Sequence, residues 1–168
     1  MQLTHYTTNF KQQQFPITVI AEHVTNAPNI GSLFRTCDAF GVEKLVFCGN
    51  DIPLGRKMTK TSRATEKVVN YEVRESSLEL IKTLKSEGYT IISLEITTTS
   101  KALHNFKIKN QQPIALIIGD ENFGVTEDIL NISHDILHID MFGNNSSMNV
   151  VQATSIALYE ITKQLLIN

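Results

Sequence analysis

Apolar positions fall into short runs divided by polar stretches rich in Asn, Gly and Ser. After a polar lead-in at 1–15, the β-branched run 17–21 behind Pro16 predicts a strand. A turn-rich passage, 22–29, contains Pro28 and an expected N-cap at Asn29. Ile30, Leu33, Phe34 and Cys37 then recur at helical spacing, predicting a helix over 30–40 closed by Gly41. Further strands are predicted at 44–48, 67–73, 90–96 and 135–139, and helices at 78–87 (ended by Gly88) and 127–133. The unbroken apolar run 114–118 is the pattern of a strand buried on both faces. The last helix, 150–166, carries Val150, Ala153, Ala157, Leu158, Ile161 and Leu165 on a broad apolar face, with Asn149 at its cap position. No periodicity marks 49–66, and 97–112 reads mostly as loop.

The order β-α-β-β-α-β-β-α-β-α predicts an α/β fold: a largely parallel sheet with helices on both faces. Ligands in such sheets bind at the carboxyl ends of the strands. The loops there, 22–29, 119–126 and 140–149, hold the special residues and outline a composite pocket. With no internal repeat or linker, 1–168 is expected to be a single domain.

Composition narrows the classes. Hydrophobic residues at 42% and charged residues at 19% describe a globular protein rather than a disordered or fibrous one. No apolar run has the roughly 18 residues of a membrane span, and the N-terminus lacks the shape of a signal peptide. Cys37 and Cys48 fall in a helix and a strand, where two buried thiols suit a cytoplasmic protein. A net charge of −2 means that any nucleic-acid surface is local. Dinucleotide, P-loop and nucleophile-elbow motifs are missing, and the five histidines show no zinc spacing, so no metal is expected.

Three constellations remain. Asn29 and Arg35 lie six residues apart at the start of the first helix, about 600° of turn, so they do not share a face. Arg35 reads equally as a functional group or a surface charge. Gly119-Asp-Glu-Asn-Phe-Gly124 follows the buried strand; its glycines admit close backbone approach and Glu121 can accept hydrogen bonds, although an acidic turn would look the same. The third is the loop 139–149, where Ser147 and Asn149 also read simply as helix caps.

In this order and spacing the three resemble the TrmH-like branch of the SPOUT superfamily of RNA ribose 2′-O-methyltransferases, from about residue 17 to 163. Asn29 and Arg35, continued by Thr36-Cys-Asp-Ala-Phe-Gly41, are similar to the first family motif. Gly119, Glu121 and Gly124 match the second; Ile139, Met141, Gly143, Ser147, Asn149 and Val150 match the third. Thr61-Ser-Arg-Ala-Thr-Glu-Lys67 looks like the family's substrate-side loop. The chain departs at Asp140, where proline is usual, and at Met148, where leucine is usual.

The resemblance implies an α/β knot, a C-terminal trefoil in which the chain threads through its own loop to form the pocket for S-adenosylmethionine. That cofactor would be held chiefly by backbone groups near Leu94, Gly119, Ile139 and Met148, in keeping with the missing phosphate motifs. It implies a homodimer built on the first and last helices, although a monomer core would explain the apolar face of 150–166 equally well. Arg35 would be catalytic, with Asn29, Glu121, Ser147 and Asn149 shaping the site. The substrate would be RNA, bound by Arg56, Lys57, Lys60, Arg63 and Lys67, unless these form a merely solvated basic loop. Thr61-Ser-Arg leans the expectation toward transfer RNA over ribosomal RNA. The alternatives are a non-catalytic RNA-binding or ribosome-associated protein of the same fold, and a general α/β nucleotide-binding enzyme, which the missing phosphate motifs disfavour.

Overall fold

The computed structural model describes Gln2 and residues 8–167; Met1 and residues 3–7 of the expected lead-in lie outside these. The chain opens with β1 (Phe15–Glu22), α1 (Ala27–Ala39) and β2 (Val42–Cys48). Next come α2 (Arg56–Ser62), β3 (Tyr71–Arg74), α3 (Ser77–Ser86), β4 (Thr90–Leu94) and a two-residue β5 (Lys101–Ala102). It ends with β6 (Ile114–Gly119), α4 (Glu127–Ile132), β7 (Asp135–His138) and α5 (Val150–Ile167). The sheet runs β3-β2-β1-β6-β4-β7-β5, and every pairing is parallel.

Alternation along β6 divides the core. Ile114, Leu116 and Ile118 face the layer of α1 and α5, packing with Ile30, Phe34, Ala157 and Ile161. Ala115 and Ile117 face the opposite layer, with Ile81 of α3 and Ile129 of α4. Both faces of β6 are therefore covered, which is why its sequence has no polar position. The expected parallel α/β sheet with helices on both sides is what the chain forms. Cys37 and Cys48 are buried free thiols, and burial pushes Cys48 up to about 12 and Cys37 upward as well.

Local differences from the expectation have physical causes. The strand predicted from residue 67 begins at Tyr71, because Lys67 closes a 3-10 turn, Thr65–Lys67. The amides of Val68 and Val69 donate to Thr65 O (3.0 and 2.9 Å) and are lost to the ladder. The aperiodic stretch 49–66 contains α2, which buries only Met58 and Ser62 and so leaves no amphipathic pattern. The predicted strand ends at 96 and 139 retreat to Leu94 and His138, which releases Glu95, Ile96 and Ile139 into loops.

Gly31 lets α2 dock on α1. A Cβ at Gly31 would collide with Met58 O and Thr61 Oγ1, so the backbone of α2 rests where a side chain would be. Gly31→Ala is expected to lower stability by about 1–3 kcal/mol through this overpacking. Denaturant unfolding checks it; unchanged stability would mean that α2 does not sit there.

Candidate functional site

β4, β6 and β7 are adjacent, and the loops leaving their carboxyl ends surround a cavity of about 600 Å³. Its wall includes Leu94, Gly119, Ile139 and Met148, the four residues expected to hold a cofactor, together with Glu121 and Ser147. Four carboxylates line it, Glu95, Asp120, Glu121 and Glu127, and among its described lining residues there is no lysine or arginine. Such a volume suits a small molecule, and such a wall suits one without phosphates and with positive charge. Among the described residues no cluster of His, Cys, Asp or Glu could hold a metal ion.

The loop after β6 is fixed by its own backbone and by two carboxylates outside it. Gly124 N donates to Asp120 O and Asn122 N to Asp120 Oδ1, each at 2.8 Å. A Cβ on Gly119 would collide with the Gly124 carbonyl, so only glycine lets the turn close this tightly. Glu95 Oε2 accepts from Val125 N at 2.9 Å. Glu22, only 1% exposed, accepts from Thr126 N (2.9 Å), Thr126 Oγ1 (3.0 Å) and Ser77 Oγ (2.7 Å), which compensates the burial of its carboxylate.

This turn presents Glu121 to the other two motifs. Asn29 Nδ2 donates to Glu121 Oε1. Asn149 Nδ2 donates to Asn29 Oδ1 at 3.1 Å and lies 3.5 Å from Glu121 Oε1. Asn149 also caps α5 as expected, its Oδ1 accepting from Val151 N at 2.9 Å. The expected cap at Asn29 is corrected: α1 starts two residues after Thr25, with Asn26 as its cap and Asn29 N donating to Asn26 Oδ1 at 3.1 Å. The amide side chain of Asn29 is thereby free for Glu121.

The remaining expected residues lie apart from this cluster. Ser147 borders the cavity, its N and Oγ turned to Asn145 Oδ1 at 3.1 and 3.3 Å. Arg35 is exposed on α1 and is not part of the cavity wall. Arg56, Lys57, Lys60, Arg63 and Lys67 are all exposed, and none forms an ion pair among the described residues. Thr61 Oγ1 bonds Pro28 O at 3.0 Å, which brings this basic surface beside Asn29. Asp140 replaces the stiffness of a proline with contacts: His104 Nδ1 and His138 Nε2 stand 3.1 and 3.4 Å from its oxygens.

Reading the sequence missed Glu22 and Glu95. The available signal was a lone carboxylate at, or just past, the carboxyl end of each of two strands.

The chain matches the SpoU rRNA Methylase family over residues 16–159. It is 30% identical over 155 residues to the tRNA (guanosine(18)-2′-O)-methyltransferase of Aquifex aeolicus, covering 92% of this chain and 72% of that protein. Among solved structures it resembles the A. aeolicus TrmH/SpoU tRNA modifying enzyme with a TM-score of 0.83 and 27% identity, over 93% of this chain and 78% of that one. It shares its fold with the SpoU methyltransferase AviRb from Streptomyces viridochromogenes, solved with AdoMet, at a TM-score of 0.80 and 21% identity, over 95% and 63% of the two chains.

The three-residue cluster makes a pH-dependent prediction. Asn149→Asp keeps the helix cap but sets a second carboxylate beside Glu121, and like charges raise the pKa of the pair. The loss of stability should be fully present at about pH 8 and shrink toward about pH 4, as one carboxyl takes up a proton. Thermal unfolding at the two pH values tests it; an equal loss at both would separate Asn149 from Glu121.

Proposed function

This chain belongs to the SpoU rRNA Methylase family, and on that premise we propose that it methylates ribose 2′-hydroxyls of structured RNA with S-adenosylmethionine. The observation that carries the reading is the meeting of Asn29, Glu121 and Asn149 at the rim of a cavity whose described lining holds no lysine or arginine. Transfer RNA is favoured over ribosomal RNA, as the name of the Aquifex relative and Thr61-Ser-Arg63 both suggest.

The residues present fit that cofactor. Leu94, Gly119, Ile139 and Met148 offer backbone and apolar contacts, and the acidic wall suits its positive charge. When bound, S-adenosylmethionine supplies an electrophilic methyl group on a sulfonium. The chain's own part is alignment, since holding two reactants in line is worth a large share of such a barrier. Glu121 fixes the amides of Asn29 and Asn149, and with Ser147 these shape the nucleotide's place. A guanidinium is a poor proton acceptor, so the role of Arg35 is one of gripping or stabilising rather than of taking a proton. Arg35 grips the phosphate next to the target ribose or stabilises the oxygen as it loses its proton. Arg56, Lys57, Lys60, Arg63 and Lys67 bind the RNA backbone, close to Asn29.

The reading extends to the assembly. We take residues 1–168 as one methyltransferase domain with a C-terminal trefoil knot; the loops of β4, β6 and β7 round one cavity support that topology. A homodimer on α1 and α5 would cover Ile156 and Tyr159, which are 42% and 63% exposed one turn apart on α5. Two buried free thiols support a cytoplasmic setting.

Two predictions test these roles. Arg35→Ala should keep the fold and cofactor affinity while lowering kcat at saturating substrates by roughly 100-fold or more, and Arg35→Lys should rescue poorly. A raised KM with unchanged kcat would make Arg35 a docking contact. Replacing Arg56, Lys57 and Lys60 with alanine should flatten the salt dependence of RNA binding and leave cofactor affinity alone. An unaltered slope of log affinity against log salt would place the RNA elsewhere.

A further inference from the structure

We propose that Glu95 is a cofactor-binding residue, its carboxylate accepting hydrogen bonds from the ribose diol of the adenosyl group. The inference rests on the cofactor reading above and goes beyond it, because there no side chain is assigned to the ribose.

Glu95 is the first residue past β4, at the carboxyl end of a parallel sheet and on the cavity wall. Its side chain is held from two directions. Oε1 accepts from Ile96 N and Oε2 from Val125 N, both at 2.9 Å, so each oxygen is fixed by the backbone of a different loop. Its own amide donates to Leu137 O at 2.8 Å, which ties the backbone to β7. Glu95 forms no ion pair among the described residues. Gly124 has φ +66°, and a Cβ there would collide with the Glu95 carboxylate, so the absence of a side chain at 124 makes room for it.

A carboxylate offers about four acceptor positions, and two are used by these amides. One remains on each oxygen. Two adjacent acceptors of fixed orientation suit two adjacent hydroxyl donors, the feature that a ribose presents and a methionine tail does not. Acidic side chains near strand ends in other parallel sheets accept from ribose hydroxyls for the same reason. Two of the other three carboxylates on the wall are less suited. Glu121 is occupied by Asn29 and Asn149, and Asp120 is buried and accepts from Asn122 N.

The test is a cycle of ligand and side-chain deletions, measured by calorimetry on the full chain. The probes are S-adenosylhomocysteine and its 2′,3′-dideoxy analogue, and the variant is Glu95→Gln. The wild type should bind the dideoxy analogue roughly 10- to 100-fold more weakly, as loss of charged hydrogen bonds implies. Glu95→Gln should bind S-adenosylhomocysteine correspondingly more weakly and discriminate little between the two ligands. A purely structural role for Glu95 would weaken both ligands alike and leave the discrimination intact, which would overturn the proposal. Gly124→Ala gives a second route, because its methyl displaces the carboxylate without removing it; it should lose the same discrimination, and full retention would also overturn the proposal. Failure of the wild type to bind S-adenosylhomocysteine at all would sink the cofactor reading, and this proposal with it.

Discussion

Glu121 Oε1 is the point on which the site depends. It accepts from Asn29, 92 residues earlier, and lies 3.5 Å from Asn149 Nδ2, 28 residues later. No element holds all three residues: Asn29 is in the first turn of α1, Glu121 in the loop after β6, and Asn149 just before α5. A carboxylate is the right centre for such a joint, because it only accepts and both amides bring N–H donors. Asn149 closes the ring by donating to Asn29 while its own oxygen caps α5. The last helix is therefore anchored at the residue that completes the site.

That joint works only if the turn carrying Glu121 is rigid. The rigidity comes from acceptors that surround the turn: Asp120 within it, Glu95 from the β4 loop and Glu22 from the end of β1. Glu22 and Gly119 are paired in the β1–β6 register, so the buried carboxylate stands directly beside the start of the turn. The cost of burying it is offset by three hydrogen bonds, two of them from Thr126 at the turn's far end. The acidic groups that hold the turn also line the cavity in part. Structural support and ligand selectivity thus have a common source.

Much of this was legible in the residues. The unbroken apolar run 114–118 and the helical spacing of 150–166 report packing, which dominates local preference, and both elements formed within a residue of expectation. Four expected cofactor residues stand on one wall, and three expected site residues bond to one another. What escaped was set by contacts distant in sequence. The seven residues of α2 bury only two side chains, and their helix is stabilised by docking on Gly31, which no local pattern reports. Asn26 rather than Asn29 caps α1 because Pro28 is accepted in the first turn, and the first Asn in Asn26-Ala-Pro-Asn29 takes the cap. Glu22 and Glu95 act through backbone amides of residues 104 and 30 positions away, partners that no local pattern identifies.

The central claim is that these three segments form a ribose methylation site. Mass mapping of 2′-O-methyl groups in total RNA, from cells with and without the gene, tests it most directly. The account predicts loss of 2′-O-methylation at a defined RNA position when the gene is removed, with restoration by the wild-type protein and not by Arg35→Ala. An identical methylation map in both strains, with the protein expressed and folded in the first, would contradict it.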